Sequence, residues 1–327
     1  MLRIMLLTGL SLVAATMVRK LTRLRMSLSS PVRWSATSPN EVRTILSAQT
    51  GDILEEAWAT DAEIKEFTRR GGTFFAQPLE TESHGIIMHG AIAWAEGGGS
   101  LVKGKPRPGI LLLHTAVGPQ DIFLRWRAQA LAARGFVVLI ADLFGDPTGR
   151  GWDPEFAAPA RQVYVENRHL LLLRTQDALQ SLAASPLVDG TQLAAMGFCF
   201  GGRAASDLIK SRPDGLRAIL TFHGVVDDYA PPGFTPSTTI DAQAFLAHAD
   251  ADPFVPRPQL DGFLAQLRQA KCRWQLQAFG GSTVHAFTNP AQEINESPNF
   301  DYDPMAAQAS WSAANTFLDA VFPDRDR

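Results

Sequence analysis

The feature that most constrains this chain is a set of short runs apolar on both faces, at residues 110–113, 136–141, 193–196, 218–222 and 245–249, separated by longer stretches with helical spacing. A strand with one wet face alternates apolar and polar residues, whereas a strand apolar on both faces has to be covered on both. Between the runs, Ile122, Trp126 and Ala130 stand four apart, with Gly135 placed as a helix stop. Leu260, Phe263, Leu264 and Leu267 form an i, i+3, i+4, i+7 stripe behind Pro258, and residues 159–184 read as one long helix ended before Pro186. Parallel strands need crossovers, and right-handed crossovers set helices on the faces of the sheet. The pattern therefore predicts an α/β, three-layer sandwich with a mostly parallel sheet covered by helices on both faces. Residues 86–94 alternate more loosely and are expected as an outer strand before the parallel set.

The remaining length divides unevenly. Of the 327 residues, 85–322 hold the strand and helix pattern, and 41–84 are a polar lead-in with a helix near 61–70, closed by Gly71-Gly72. Residues 1–40 contain Arg3, Arg19, Lys20, Arg23, Arg25 and Arg33 and no acid, so this leader carries +6 within a net charge of −3. The rest is distinctly acidic, which argues against a nucleic-acid footprint. The apolar run at 4–18 is broken by Thr8, Gly9, Ser11 and Thr16 and falls short of the roughly 20 residues a spanning helix needs. The Arg- and Ser-rich stretch behind it suits an organelle transit peptide, which would send the protein to a mitochondrion or another organelle. A secretory signal or membrane anchor is one alternative. An upstream extension before Met26 on a cytoplasmic protein is the other. In no case is the leader expected in the fold.

Two cysteines, Cys199 and Cys272, exclude a disulfide scaffold and a Cys-built zinc site. Cys199 stands in Gly197-Phe198-Cys199-Phe200-Gly201-Gly202, between an expected strand and an expected helix. This is a G-x-nucleophile-x-G elbow with Cys in the place usually held by Ser. The glycines are needed because side chains two residues either side of so tight a turn would clash. A thiol at a helix amino end is biased towards the reactive thiolate. The Phe200 N–H would be one arm of an oxyanion hole, and the other arm is expected near Thr115 and Ala116, after the 110–113 run. A catalytic acid and a histidine should follow in that order. Asp250 and Asp252 come after the 245–249 run, and His285 follows a further strand at 274–279. The reading assigns Cys199 as nucleophile, His285 as proton shuttle and Asp252 as the acid that orients it. No histidine pair has metal-ligand spacing. Cys272, between Lys271 and Arg273, reads as structural.

At these residues the chain resembles the dienelactone hydrolase family of α/β-hydrolases. The resemblance rests on Ala141-Asp142-Leu143-Phe144-Gly145, the elbow, Phe222-His223-Gly224, Asp252-Pro253-Phe254-Val255-Pro256 and Val284-His285-Ala286-Phe287-Thr288-Asn289-Pro290. It implies the α/β-hydrolase fold and a Cys-His-Asp hydrolase of carboxylic esters or lactones, working without metal or organic cofactor; separately, the 19 Phe are compatible with a monomer's core, with an oligomer left open. It also implies a pocket touched by Thr115, Arg161, His223 and Phe287. Two positions depart from the family. Thr115 stands where a glutamate usually holds the resting thiol, and Asn289 replaces an arginine that grips a substrate carboxylate. Arg161 matches the second such arginine. These departures shift the expectation from a dianionic dienelactone to an uncharged ester, lactone or thioester. Competing readings are a non-catalytic binding protein of the same fold, a thioesterase, and a redox role for Cys199.

Overall fold

The computed structural model describes the backbone of residues 25–26 and 32–33, and then residues 48–98, 104–145, 162, 164, 166–235 and 237–324. In chain order the strands are β1 (Arg25–Met26), β2 (Val32–Arg33), β3 (Thr73–Ser83), β4 (Ile86–Glu96), β5 (Arg107–Leu113), β6 (Val137–Ala141), β7 (Val188–Phe198), β8 (Leu216–Phe222), β9 (Gln243–Ala249) and β10 (Trp274–Phe279). The helices are α1 (Ala48–Thr60), α2 (Ala62–Arg69), α3 (Ile122–Ala133), α4 (Arg168–Ala183), α5 (Phe200–Ser211), α6 (Arg257–Gln269) and α7 (Pro304–Val321).

One sheet runs in the order β1-β3-β4-β6-β5-β7-β8-β9-β10, with β2 also on β3. From β6 to β10 every pairing is parallel, and β3 and β4 add an antiparallel end. The sheet separates two buried clusters by alternation along its strands, broken at the register shifts of β7 and β8. Leu111, Leu113, Leu139 and Ala195 face α4, α5 and α6, while Ile110, Leu112, Ile140 and Met196 face α1, α2, α3 and α7. This is the three-layer arrangement that the doubly apolar runs require.

The helices start where the side chains satisfy their first N–H groups. Asp121 accepts from Phe123 N–H at 3.0 Å to open α3, and Asn167 accepts from Leu170 N–H at 3.0 Å to open α4. The long helix expected from 159 is described from Arg168. Arg168 then forks onto Asp207 at 3.0 and 2.7 Å, tying α4 to α5.

Two expectations change. Residues 86–94 lie within β4, which is not the last strand of the antiparallel end, because β3 pairs with it along its whole length from Thr73↔Glu96 to Ser83↔Ile86. Residues 73–83 of the lead-in are thus woven into the sheet, and Leu54, Trp58, Ile64 and Phe67 of α1 and α2 are buried in the core. The leader contributes as well. β1 and β2 pair antiparallel with β3 at Leu79, Glu80, Phe75 and Ala76. An edge strand presents unpaired N–H and C=O groups, and these short segments cover part of that edge.

Candidate active site

β5 and β7 are neighbours in register, with Leu113 opposite Gly197, while the chain leaves them towards opposite sides of the sheet. That crevice at the carboxyl ends is where open α/β sheets take ligands. β7 ends at Phe198 and α5 begins at Phe200, which leaves Cys199 alone at the turn with φ 53° and ψ −115°. A non-glycine residue is held there only if its surroundings enforce it. The enforcement is close backbone packing. A Cβ on Gly197 would lie 2.1 Å from the Gly201 carbonyl oxygen, one on Gly201 2.2 Å from that of Leu113, and one on Gly202 2.4 Å from Gly224 Cα. Within this frame Cys199 N–H donates to Phe222 O at 3.1 Å, and Cys199 O accepts from Gly202 and Val225 N–H at 3.0 and 3.1 Å.

The thiol is half-buried, and the groups that bear on its charge are the His285 imidazole and the backbone N–H groups of Phe200 and Ala116. His285 Nδ1 bonds Asp252 Oδ2 at 2.6 Å, which leaves Nε2 for the thiol. The other Asp252 oxygen accepts from Phe254 N–H at 2.9 Å. Asp250 instead stands exposed, 3.7 Å from Arg257. Of the two acids after β9, Asp252 therefore faces the histidine.

Charge on this pair is set by opposing effects. Burial works against the Cys199 thiolate, yet the charge of His285, its hydrogen bond and the Phe200 and Ala116 N–H groups together hold the thiol below its ordinary value. Burial likewise opposes the imidazolium. The attraction of Cys199 and the bond from Asp252 outweigh it and push His285 up to about 10. Cys272 shows the contrast. It is buried, its thiol points at Ala242 O at 3.2 Å, and burial alone pushes it up to about 12.

The expected pocket residues divide. Thr115 and Ala116 follow β5 beside the thiol, but the Thr115 hydroxyl accepts from Val117 N–H at 3.1 Å within its own loop. His223 and Phe287, expected to line the pocket, are buried, at 1% and 0% exposed. The His223 ring meets His285 edge-on at 5.1 Å and Phe287 at 5.4 Å. Burial keeps His223 far below its ordinary value, helped by the charges of His285 and Arg127, so its ring is neutral. Arg161 lies outside the described residues. Asn289 is turned inward, its side chain accepting from Ala291 N–H at 3.0 Å to cap the short helix Pro290–Ile294.

Other participants carry no signal in the sequence. Arg127, buried in α3 with its guanidinium 3.9 Å from the Trp126 ring and 4.6 Å from that of Trp311, donates to Thr288 O at 3.3 Å. The Thr288 hydroxyl is bonded to His223 Nε2 at 2.9 Å. This chain of contacts fixes the loop that carries His285. Phe254 and Phe300 flank the His285 ring at 4.9 and 5.5 Å. A cleft of about 600 Å³ lined by Arg107, Asp189, Arg217, Asp241 and Arg273 lies at the opposite, amino ends of the strands, away from this chemistry. Among the described residues no group of His, Cys, Asp and Glu is arranged to hold a metal ion.

Comparison with known proteins agrees with this architecture. The chain is 30% identical to a dienelactone hydrolase-like promiscuous phosphotriesterase from metagenomic libraries, with a TM-score of 0.68 over 76% of this chain and 99% of that one. A Klebsiella pneumoniae protein described as a dienelactone hydrolase shares the fold at 18% identity, with a TM-score of 0.59 over 75% of this chain and 98% of its own. An uncharacterised Caenorhabditis elegans protein is 32% identical over 150 residues, 46% of this chain and 92% of that protein. The profile of the dienelactone hydrolase family matches residues 99–322, and the chain belongs to that family, as an ester-bond hydrolase built on the α/β-hydrolase fold.

Proposed function

We propose that this hydrolase uses Cys199 as its nucleophile, with His285 as acid and base and Asp252 as orienter, on small uncharged carboxylic esters or lactones. The observation that carries the reading is the strained strand–helix turn that presents Cys199 alone, together with the 2.6 Å bond of His285 Nδ1 to the buried Asp252 carboxylate; the lowering of the thiol by His285 and the Phe200 and Ala116 N–H groups supports it. The Cys199 thiolate attacks the acyl carbon, and the two N–H groups take the charge that develops on the carbonyl oxygen. Collapse breaks the bond to the leaving oxygen, which takes the proton from His285 Nε2 and departs as an alcohol. A thioester remains on Cys199. His285 then removes a proton from water, the hydroxide adds to the thioester carbon, and expulsion of the sulfur releases the acid and restores the thiolate and imidazolium.

The preference for uncharged substrates rests on Asn289, whose side chain is committed to capping. Loss of one bidentate arginine clamp costs a carboxylate-bearing substrate roughly 1.5–3 kcal/mol of binding. Because the Thr115 hydroxyl is engaged in its own loop, the resting thiol is held by His285 and needs no substrate to free it. The test is a panel of p-nitrophenyl acetate, a small lactone, an acyl thioester and an organophosphate triester, with intact mass measured during turnover. The triester is included because the 30% identical relative is a promiscuous phosphotriesterase. Cys199→Ala is expected to abolish turnover and the acyl adduct, by about ten-thousand-fold or more, with the fold unchanged. Turnover that survives this substitution would show that the thiol is not the nucleophile, and a protein that binds the panel without turning it over is a binding module.

A further inference from the structure

The His285 ring also meets two aromatic rings that hydrolysis as such does not need. Phe254 meets the imidazole edge-on, with centroids 4.9 Å apart and planes at 70°, and Phe300 does so at 5.5 Å and 84°. The two phenyl rings also touch each other, at 5.4 Å. They come from separate loops, each tied to the triad through the backbone. Phe254 N–H donates to Asp252 Oδ1 at 2.9 Å, and Phe300 bridges to His285, with Asp301 N–H donating to His285 O at 3.3 Å. Phe254 is 41% exposed, one of few large apolar side chains among the described residues left that open, and Phe300 is half-buried. A wet phenyl ring fixed beside a buried catalytic imidazole is apolar surface without a partner.

We infer that Phe254 and Phe300 form the leaving-group subsite and select esters of aryl or similarly flat, apolar alcohols. The inference rests on the reading that His285 protonates the leaving oxygen. The group attached to that oxygen must then pass alongside the imidazole, and what stands there is an aromatic corner. Two rings set at 46° to each other accept a third in the tilted or edge-on geometry that aromatic groups prefer. The subsite contributes no charge, in keeping with uncharged substrates.

The test compares phenyl acetate with 2,2,2-trifluoroethyl acetate, which share an acyl group and have activated leaving groups of different shape. In Phe254→Ala the ratio of kcat/KM for the phenyl ester to that for the trifluoroethyl ester is expected to fall about tenfold, and Phe300→Ala should shift it in the same direction. Phe254→Tyr, which keeps the ring, should hold the ratio within about twofold. An unchanged ratio overturns the inference, whether both rates drop together, as they would if the rings only shield or position His285, or neither drops. Because Phe254 is so exposed, Phe254→Ala is expected to fold, and its circular dichroism spectrum checks this. If the unaltered protein hydrolyses neither ester and forms no acyl adduct at Cys199, the hydrolase mechanism itself fails and the subsite with it, a result recognised before any variant is made.

Discussion

His285 Nδ1 and Asp252 Oδ2 are 2.6 Å apart, in side chains 1% and 0% exposed to solvent. A carboxylate so deeply buried is tolerated because it is fully engaged, by the imidazole on one oxygen and Phe254 N–H on the other. Asp252→Asn keeps the shape but presents a neutral group to Nδ1 and favours the wrong imidazole tautomer. We expect kcat to fall by about a thousand- to ten-thousand-fold, with KM much less affected. A loss below about tenfold would mean that Asp252 anchors the loop without orienting His285.

The pH dependence follows from the two shifts. The reactive form carries a thiolate on Cys199 and a proton on His285. Acid removes it by protonating a thiol whose value lies below the ordinary 9, and base removes it by deprotonating His285 near 10. Activity should therefore rise on the acid side of pH 9 and hold to about pH 10, while alkylation by iodoacetamide, which needs only the thiolate, should show the same acid-side rise without the fall above pH 10. At pH 7 Cys199 should label at least about a hundred times faster than Cys272, which is pushed up to about 12. Peptide mass mapping after timed labelling measures both. A Cys199 profile that climbs only through pH 9 would describe an ordinary thiol.

The residues proposed as a triad could be picked out of the sequence because each follows the carboxyl end of an expected strand, in the order such a site demands. The runs themselves were legible because burial on both faces selects for apolar residues: Ile110, Leu111, Leu112 and Leu113 are all 0% exposed. β3 was not legible for the opposite reason. Its inward positions include Gln77, Thr81 and Ser83, buried polar residues satisfied by partners distant in sequence, Thr81 by Ser181 and Ser83 by Asp177. Pattern reading scores such a strand as a polar loop. The backing of His285 was hidden in a similar way. Arg127, His223 and Thr288 meet only after α3, β8 and the last loop are packed, and Phe254 and Phe300 are ordinary loop phenylalanines until the fold sets them against one imidazole.

The elbow glycines make a stability prediction separate from chemistry. At Gly201 an added Cβ would sit 2.2 Å from Leu113 O and 2.8 Å from His114 O, both backbone atoms of the central strand and its exit. No side-chain rotation relieves that contact, so α5 and β5 must separate. Gly201→Ala is expected to cost at least about 3 kcal/mol, visible as a large drop in the urea midpoint or as insoluble protein. Gly71→Ala is the control for packing, because nothing lies within 4 Å of its added Cβ and only its φ of 80° opposes the change. Equal losses at the two sites would remove the crowding argument.

The N-terminal helix supplies the last prediction. α1 lies against α3 and the Pro290–Ile294 turn, five residues beyond His285, and its Trp58 is 4% exposed with Nε1 donating to Gln129 Oε1 of α3. Trp58→Ala opens a cavity at that junction and should cost about 3–5 kcal/mol in urea unfolding, whereas Trp58→Phe keeps most of the volume and forfeits mainly the hydrogen bond, about 1 kcal/mol. Because the same junction supports the loop carrying His285, thermal inactivation of Trp58→Ala should begin at or below the temperature at which its secondary structure melts. If instead the alanine variant keeps wild-type stability, α1 is peripheral and the catalytic fold is complete without residues 48–60.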